Sequence, residues 1–229
     1  MAISDGTLSP ATPDVQASTP QTRVSLSRVG VTGVEKVIRV QAPGAEDGEQ
    51  LFFAELECFV DLNPEQAGVH MSRFEEVVGE AIDSVVLGEA PFRAETLAAH
   101  IAERVRESQN GLRAEVSVAA RYPETVATPV SGQKTQEIYT LFGTAVASER
   151  GTRRLTGVQA QGMTACPCAQ EMVAGASRER LAEQGFDEDE LERVIEAVPI
   201  ATHNQRGIGT LYVGCPEGWP ADVDARDLL

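Results

Sequence analysis

The chain has 229 residues, of which 42% are hydrophobic, and its 35 acidic against 19 basic side chains give a net charge of −16 at pH 7. This length fits one large domain or two small modules. No apolar run approaches the ~18 residues that a membrane span needs. So acidic a surface repels polymeric nucleic acid and anionic lipid. These features argue against a membrane protein and against a partner such as DNA or RNA, but a small anionic substrate is compatible with a few well-placed arginines.

Residues 1–22 are rich in Ser, Thr, Pro and Ala. They lack a basic start followed by an apolar core, which argues against a secretory signal and predicts a disordered tail. The four cysteines are too few and too unevenly spaced for a disulfide framework. We therefore expect a cytoplasmic protein with free thiols. The cysteines are Cys58, Cys166, Cys168 and Cys215.

Hydrophobic periodicity predicts an element order of β-β-α-α-β-β-β-α-α-β. Antiparallel strands with helices on one side of them indicate an α+β fold rather than a parallel doubly wound sheet. In the second strand, alternation predicts that Cys58 lies on the buried face. The expected bounds are Arg23–Val40 (one bent strand or a pair), a turn at Ala42–Gly48, Leu51–Leu62, a helix from Ser72 to Gly88, Ala94–Gln109, Leu112–Arg121, Lys134–Ser148, Arg153–Gln161, a helical region over Glu171–Val198 broken at Gly185, and Gly207–Gly214.

Capping patterns mark two helix starts. Ser72 with Glu75, and Asp187 with Glu190, have the spacing of a capping box, in which a side chain at each end bonds to the other's backbone N–H. The pattern over Asp222–Leu229 is typical of the beginning of a helix. Because it stops there, we expect this chain to be cut short at its C-terminus.

Two short polar segments, Thr164–Cys168 and Thr202–Gly207, are predicted as loops at the two ends of the last helical region. That connection can bring both ends back to one place. Proline between the two thiols favours an extended backbone, in which they point opposite ways, so one metal would take only one of them. A cysteine and His203 could hold a catalytic zinc or iron with a third ligand that the sequence does not reveal. Two structural thiols and a polar surface turn are the alternatives.

His70 stands ahead of the first predicted helix, and Arg73 lies in its first turn. Helix N-termini attract anions, and a guanidinium adds a fork for phosphate or carboxylate. The alternative is a capped helix with an incidental histidine.

Five motifs in order along the chain resemble those of the type IB GTP cyclohydrolases, a metal-dependent family that includes archaeal enzymes. Each motif is weak alone, but the ordered set is specific and spans nearly the whole chain. The helical insertion between the last two motifs is closer to the archaeal-type branch. The motifs are Pro13-Asp14-Val15-Gln16, Arg28-Val29-Gly30-Val31, His70-Met71-Ser72-Arg73-Phe74, Thr164-Ala165-Cys166-Pro167-Cys168 and His203-Asn204-Gln205-Arg206.

The resemblance implies a tunnelling fold (T-fold), in which tandem modules of antiparallel sheet and paired helices assemble into a homo-oligomer, here a dimer or tetramer, with sites at subunit interfaces. Residues 23–150 would form the first module. Residues 151–229 would form a second module that is incomplete at its C-terminus.

The resemblance also implies a reaction and a metal centre. GTP would be hydrolysed with release of formate to dihydroneopterin triphosphate or its cyclic phosphate, the first step of folate or tetrahydromethanopterin biosynthesis. Cys166, also catalytic in the family, and His203 would be ligands of Fe(II) or Zn(II). The family's acidic ligand and the glutamate that anchors guanine lie in regions beyond the end of this chain.

Further roles are hypotheses. His70 could assist proton transfer, because an imidazole titrates near neutral pH. Arg73 and Arg206 could contact the triphosphate, with Asn204 and Gln205 also binding substrate. Two other classes stay open: a non-catalytic T-fold protein that binds a purine or pterin, and a structural-zinc or thiol-redox module that uses Cys166 and Cys168.

Overall fold

The computed structural model describes residues 14–16, 18–41, 49–86, 93–200, 202–215 and 223–229. The predicted turn at 42–48, the predicted helix end at Gly88 and most of the predicted N-terminal tail lie outside these ranges. The elements are β1 (Leu26–Gln41), β2 (Glu49–Leu62), α1 (Met71–Val86), α2 (Ala94–Ser108), β3 (Arg113–Ala127), β4 (Lys134–Ser148), β5 (Gly151–Ala165), α3 (Pro167–Glu183), α4 (Glu188–Ala197), β6 (Asn204–Cys215) and a 3-10 turn (Ala225–Leu228).

The six strands form one antiparallel sheet in the order β1-β2-β3-β4-β5-β6, so each strand pairs with its neighbour in the chain. One helix pair follows β2 and the other follows β5. This arrangement confirms the predicted α+β class and the predicted element order. By packing, the chain divides into two compact units: Met1–Val158 with Leu211–Leu229, and Gln159–Thr210.

The core of the first unit lies between the sheet and the pair α1 and α2. The predicted buried face of β2 is confirmed: Cys58 is fully buried, and this burial raises the pKa of its thiol to about 12, which fits a packing role. The described apolar residues that recur at helical spacing in α1 and α2 are buried as well. The core residues that these three elements contribute include Ala54, Leu56, Val60, Phe74, Val78, Leu97, Ile101 and Val105.

Two glycines allow backbones to approach closely. A Cβ at Gly143 in β4 would lie 2.1 Å from the Ala94 carbonyl carbon and from the Glu95 nitrogen, at the start of α2. A Cβ at Gly30 in β1 would lie 1.8 Å from the Cys58 carbonyl oxygen. The glycine of the motif Arg28–Val31 therefore serves strand packing, next to a register irregularity between Val31 and Val34.

The two predicted capping boxes have different outcomes. The Asp187–Glu190 box is confirmed, because the Asp187 side chain accepts from the Glu190 N–H at 2.9 Å and the Glu190 side chain accepts from the Asp187 N–H at 3.0 Å. Ser72 as the N-cap is wrong, since α1 already begins at Met71. The predicted helix beginning at the chain's end is also wrong; the described residues there form only the 3-10 turn.

Glu95 is a buried carboxyl, 2% exposed, in the first turn of α2. Its Oε1 has no hydrogen-bond partner among the described residues, and burial raises the pKa of its carboxyl. Folding therefore favours the protonated form. The stabilisation due to Glu95 is complete below the unfolded-state pKa and is lost as pH rises through the folded-state pKa.

We therefore expect the wild type to lose stability relative to Glu95→Gln as pH rises above about the ordinary carboxyl value of 4.5. Urea unfolding over a series of pH values measures the difference. Glu107→Gln, which removes an exposed carboxyl from the same helix, controls for loss of a charge. A pH-independent difference between wild type and Glu95→Gln would contradict the assignment.

Candidate metal and substrate site

Cys166 lies at a strand-to-helix junction rather than in a loop. The strand β5 continues to Ala165, Cys166 is the N-cap of α3 with extended backbone angles (φ −99°, ψ 105°), and Pro167 is the first helical residue. Proline suits that position because its missing N–H has no partner there in any helix. The extended backbone predicted before Pro167 is therefore confirmed at Cys166. Cys168 is in the first turn of α3 and exposed, so the prediction that the extended backbone continues through both thiols is wrong.

The histidine segment is also not a loop. His203 lies one residue before β6, and Asn204, Gln205 and Arg206 are the first residues of that strand. Alternation along a strand places Gln205 on the same side as His203, and Asn204 with Arg206 on the other. Arg206 Nη1 donates to Gln161 Oε1 at 3.4 Å.

Backbone hydrogen bonds bring Cys166 and His203 side by side. The Cys166 N–H donates to the His203 carbonyl at 3.3 Å, and the Thr202 hydroxyl donates to the Cys166 carbonyl at 2.7 Å. One pair further along, the Thr164 hydroxyl donates to the Gln205 carbonyl at 3.1 Å. The backbones of Cys166 and His203 are therefore direct neighbours where the β5–β6 strand pair ends.

The helical connection explains why these two residues meet. Between Cys166 and His203 the chain leaves the sheet, forms α3 and α4, and returns to the strand next to the one it left. The prediction that this insertion brings its two ends back to one place is confirmed. The junction also puts the cysteine at the N-terminus of α3.

The donor set of this pair fits a borderline metal. One thiol and one imidazole are both ligands that zinc and iron accept. Cys166 is partly exposed and His203 exposed, so both are accessible. Within the described ranges, no group of three or more His, Cys, Asp or Glu side chains is close enough to hold a metal. A metal centre built on this pair would need at least one further ligand.

His70 belongs to a second polar cluster, in the first compact unit. Its Nε2 lies 2.9 Å from Asp14 Oδ1, an aspartate of the motif Pro13–Gln16. Its Nδ1 is buried and has no hydrogen-bond partner among the described residues. Its backbone is held by Gln109, the C-cap of α2, and no sequence motif pointed to that residue.

Arg73 joins the two helices of this unit. Its Nη1 donates to the Ser108 carbonyl at 2.9 Å, in the last turn of α2. His70, Arg73, Asp14 and Gln109 are among the residues that line a cavity of about 220 Å³. The arginine keeps further N–H groups for an anion, because a guanidinium has five.

The described part of the chain contains no helix that is long and apolar enough to span a membrane.

The sequence model of the family described as "Type I GTP cyclohydrolase folE2" matches residues 12–229. The chain therefore belongs to the type I GTP cyclohydrolase family.

Curated relatives are more specific in name. The chain is 40% identical to "GTP cyclohydrolase MptA" of Haloferax volcanii over 223 residues, covering 95% of this chain and 69% of that protein. It is 40% identical over 222 residues to the MptA protein of Haloarcula marismortui, with 95% and 69% coverage. Against that of Methanococcus maripaludis strain C5 it is 36% identical over 216 residues, with 92% and 68% coverage. These relatives support the archaeal-type branch.

Proposed function

We propose that this chain hydrolyses GTP with release of formate, as the first step of pterin biosynthesis. Membership of the type I GTP cyclohydrolase family and relatives named GTP cyclohydrolase MptA support the reaction. The structural observation that supports the proposal is the backbone hydrogen bond from Cys166 to His203, which joins the segments that carry the thiol and the imidazole. The product is 7,8-dihydroneopterin triphosphate or its 2′,3′-cyclic phosphate.

Cys166 and His203 hold a divalent ion, Fe(II) or Zn(II), with at least one further ligand. When bound, such an ion supplies a Lewis acid that makes water nucleophilic near neutral pH. Gln205 and Asn204 also bind substrate in this proposal, from opposite faces of β6, and Arg206 shares the face of Asn204. Arg206 and Arg73 keep guanidinium N–H groups for the triphosphate.

His70 assists proton transfer in this proposal. A carboxylate only accepts hydrogen bonds, so the contact between His70 Nε2 and the Asp14 carboxylate requires the imidazole proton to be on Nε2. The unprotonated Nδ1, which has no hydrogen-bond partner among the described residues, is therefore the nitrogen at which His70 can accept a proton.

The finer assignment also follows the resemblance. We infer a type IB enzyme with a T-fold built from tandem modules, assembled as a homo-oligomer of two or four chains. The paired helices following β2 and β5 support the repeated module, since each pair follows an antiparallel strand pair or meander.

Incubation of the purified protein with GTP, under anaerobic conditions and with Fe(II) or Zn(II), tests the reaction. We expect one formate for each GTP consumed, together with the fluorescence of an oxidised pterin, and loss of both after metal chelation. GTP binding without formate release from the metal-loaded protein would contradict the proposal and favour a non-catalytic binding protein.

A further inference from the structure

The backbone of His70 is held at two points by one buried side chain. Gln109 is 1% exposed. Its Oε1 accepts from the His70 N–H at 3.1 Å, and its Nε2 donates to the His70 carbonyl at 2.8 Å. Both ends of the amide thus bond to one residue that lies 39 positions earlier in the chain.

The main chain of Gln109 is itself held in place. The main-chain carbonyl of Gln109 accepts from Gln66 Nε2 at 3.1 Å, and Gln66 Nε2 also donates to the Gly68 carbonyl at 2.9 Å. The Gln109 N–H donates to the Val105 carbonyl at 3.0 Å, which completes the last turn of α2. The glutamine therefore fixes the position of His70 relative to the end of a helix in the core.

The imidazole ring is fixed separately, by Asp14. The carboxylate accepts from Nε2, and the segment that carries it is anchored: the Ala67 N–H donates to the Ser18 carbonyl at 3.2 Å. Since Nδ1 is buried without a partner among the described residues, the contacts distinguish the two ring nitrogens. They favour the tautomer with its proton on Nε2.

We propose that Gln109 and Asp14 are positioning residues for His70, with Gln109 fixing its backbone and Asp14 fixing its ring and tautomer. The inference rests on the proposed role of His70 in proton transfer. A reacting group must be held close to its productive geometry, and a displacement of about 1 Å can cost about 100-fold in rate. Both residues thus hold His70 through specific hydrogen bonds that packing alone does not require.

Nitrogen NMR of histidine-labelled protein tests the tautomer without relying on activity. The chain has only three histidines, so a His70→Gln variant assigns the His70 signals. We expect the wild type to show a protonated Nε2 and an unprotonated Nδ1. Asp14→Ala should shift His70 toward a mixture of tautomers, and Asp14→Asn, whose amide oxygen still accepts, should restore the Nε2–H form.

Kinetics with GTP test the two hydrogen bonds by which Gln109 holds the His70 backbone. Gln109→Met keeps the side-chain length and removes both hydrogen bonds. We expect it to lower kcat about 10- to 100-fold with KM changed less than about threefold. Ser108→Ala is the matched control in the same turn, because among the described residues its hydroxyl bonds to the Val105 carbonyl of its own helix and not to His70. Should Gln109→Met fail to fold, the Asp14 variants decide the matter.

The outcomes separate the two proposals. If His70→Gln leaves kcat unchanged while the tautomer depends on Asp14, the proton-transfer role of His70 fails and ring positioning stands. If the His70 signals are the same in wild type and Asp14→Ala, the positioning of the ring by Asp14 is overturned whatever His70 does. If His70→Gln lowers kcat but Gln109→Met and Ser108→Ala have equal kcat, the positioning of the backbone by Gln109 is overturned.

Discussion

Replacing Cys166 with alanine is expected to lower formate release from GTP by more than about 100-fold, in the metal-supplemented protein. Loss of a partner beyond the ligand shell already costs 10- to 100-fold in metal affinity or activity, and loss of a ligand should cost more. The residue is the N-cap of α3, but its side chain makes no capping hydrogen bond. Its removal should therefore leave the fold intact, which circular dichroism and urea unfolding can check.

Cys168→Ala is the matched control. This second thiol lies two residues on, in the first turn of the same helix, and is exposed. We expect it to keep formate release within about twofold of wild type. Equal loss of activity in both variants would favour a pair of structural or redox thiols over a single metal ligand, as would unchanged activity in Cys166→Ala.

Replacing Phe74 with alanine is expected to cost about 3–5 kcal/mol of unfolding free energy. This ring is fully buried between α1 and the sheet and belongs to the main core. It is part of the motif His70–Phe74, which also carries the His70 imidazole and the Arg73 guanidinium. The prediction assigns the phenylalanine to stability rather than to chemistry. Urea unfolding at fixed pH measures the change.

Met71→Ala is the control within the same motif and the same helix. Met71 is 49% exposed, so its truncation should change stability by no more than about 0.5 kcal/mol. A loss below about 1 kcal/mol for Phe74→Ala, or equal losses for both variants, would show that the core does not depend on this ring.

Elements whose signals are local were predictable from the sequence. The strand Lys134–Ser148 has its predicted bounds, and the Asp187–Glu190 box closes through side chains three residues apart. The predicted stripes of α1 and α2 are buried because helix periodicity reflects one packed face. Strand ends were less predictable. For example, β3 extends to Ala127 because pairing with β4 continues past Pro123, opposite Ile138.

The start of α1 shows why local signals fail elsewhere. The serine predicted as its N-cap lies inside the helix, and the His70 N–H at its start donates to Gln109. That partner comes from the end of another helix, so no short sequence pattern could reveal it. Leu112 is a further case, because it was predicted to begin a strand, but β3 begins at Arg113 and Leu112 is 46% exposed.

The two segments of the candidate site could be predicted from the sequence, but their secondary structure could not. The thiol and histidine segments were singled out as the ends of a helical insertion, and their proximity is confirmed. Their description as loops was wrong, since β5 reaches Ala165 and β6 begins at Asn204. Hydrogen bonds across this strand pair order both segments, and such pairing depends on residues about 40 positions apart.

Cobalt substitution tests the central claim most directly. With Co(II) bound, a cysteine ligand gives a thiolate-to-cobalt charge-transfer band in the near ultraviolet. We predict that band in the wild type and in Cys168→Ala, its loss in Cys166→Ala, and weaker cobalt binding in His203→Ala. A cobalt-loaded wild type without a sulfur band, or a band that survives removal of Cys166, would contradict a metal centre built on Cys166 and His203.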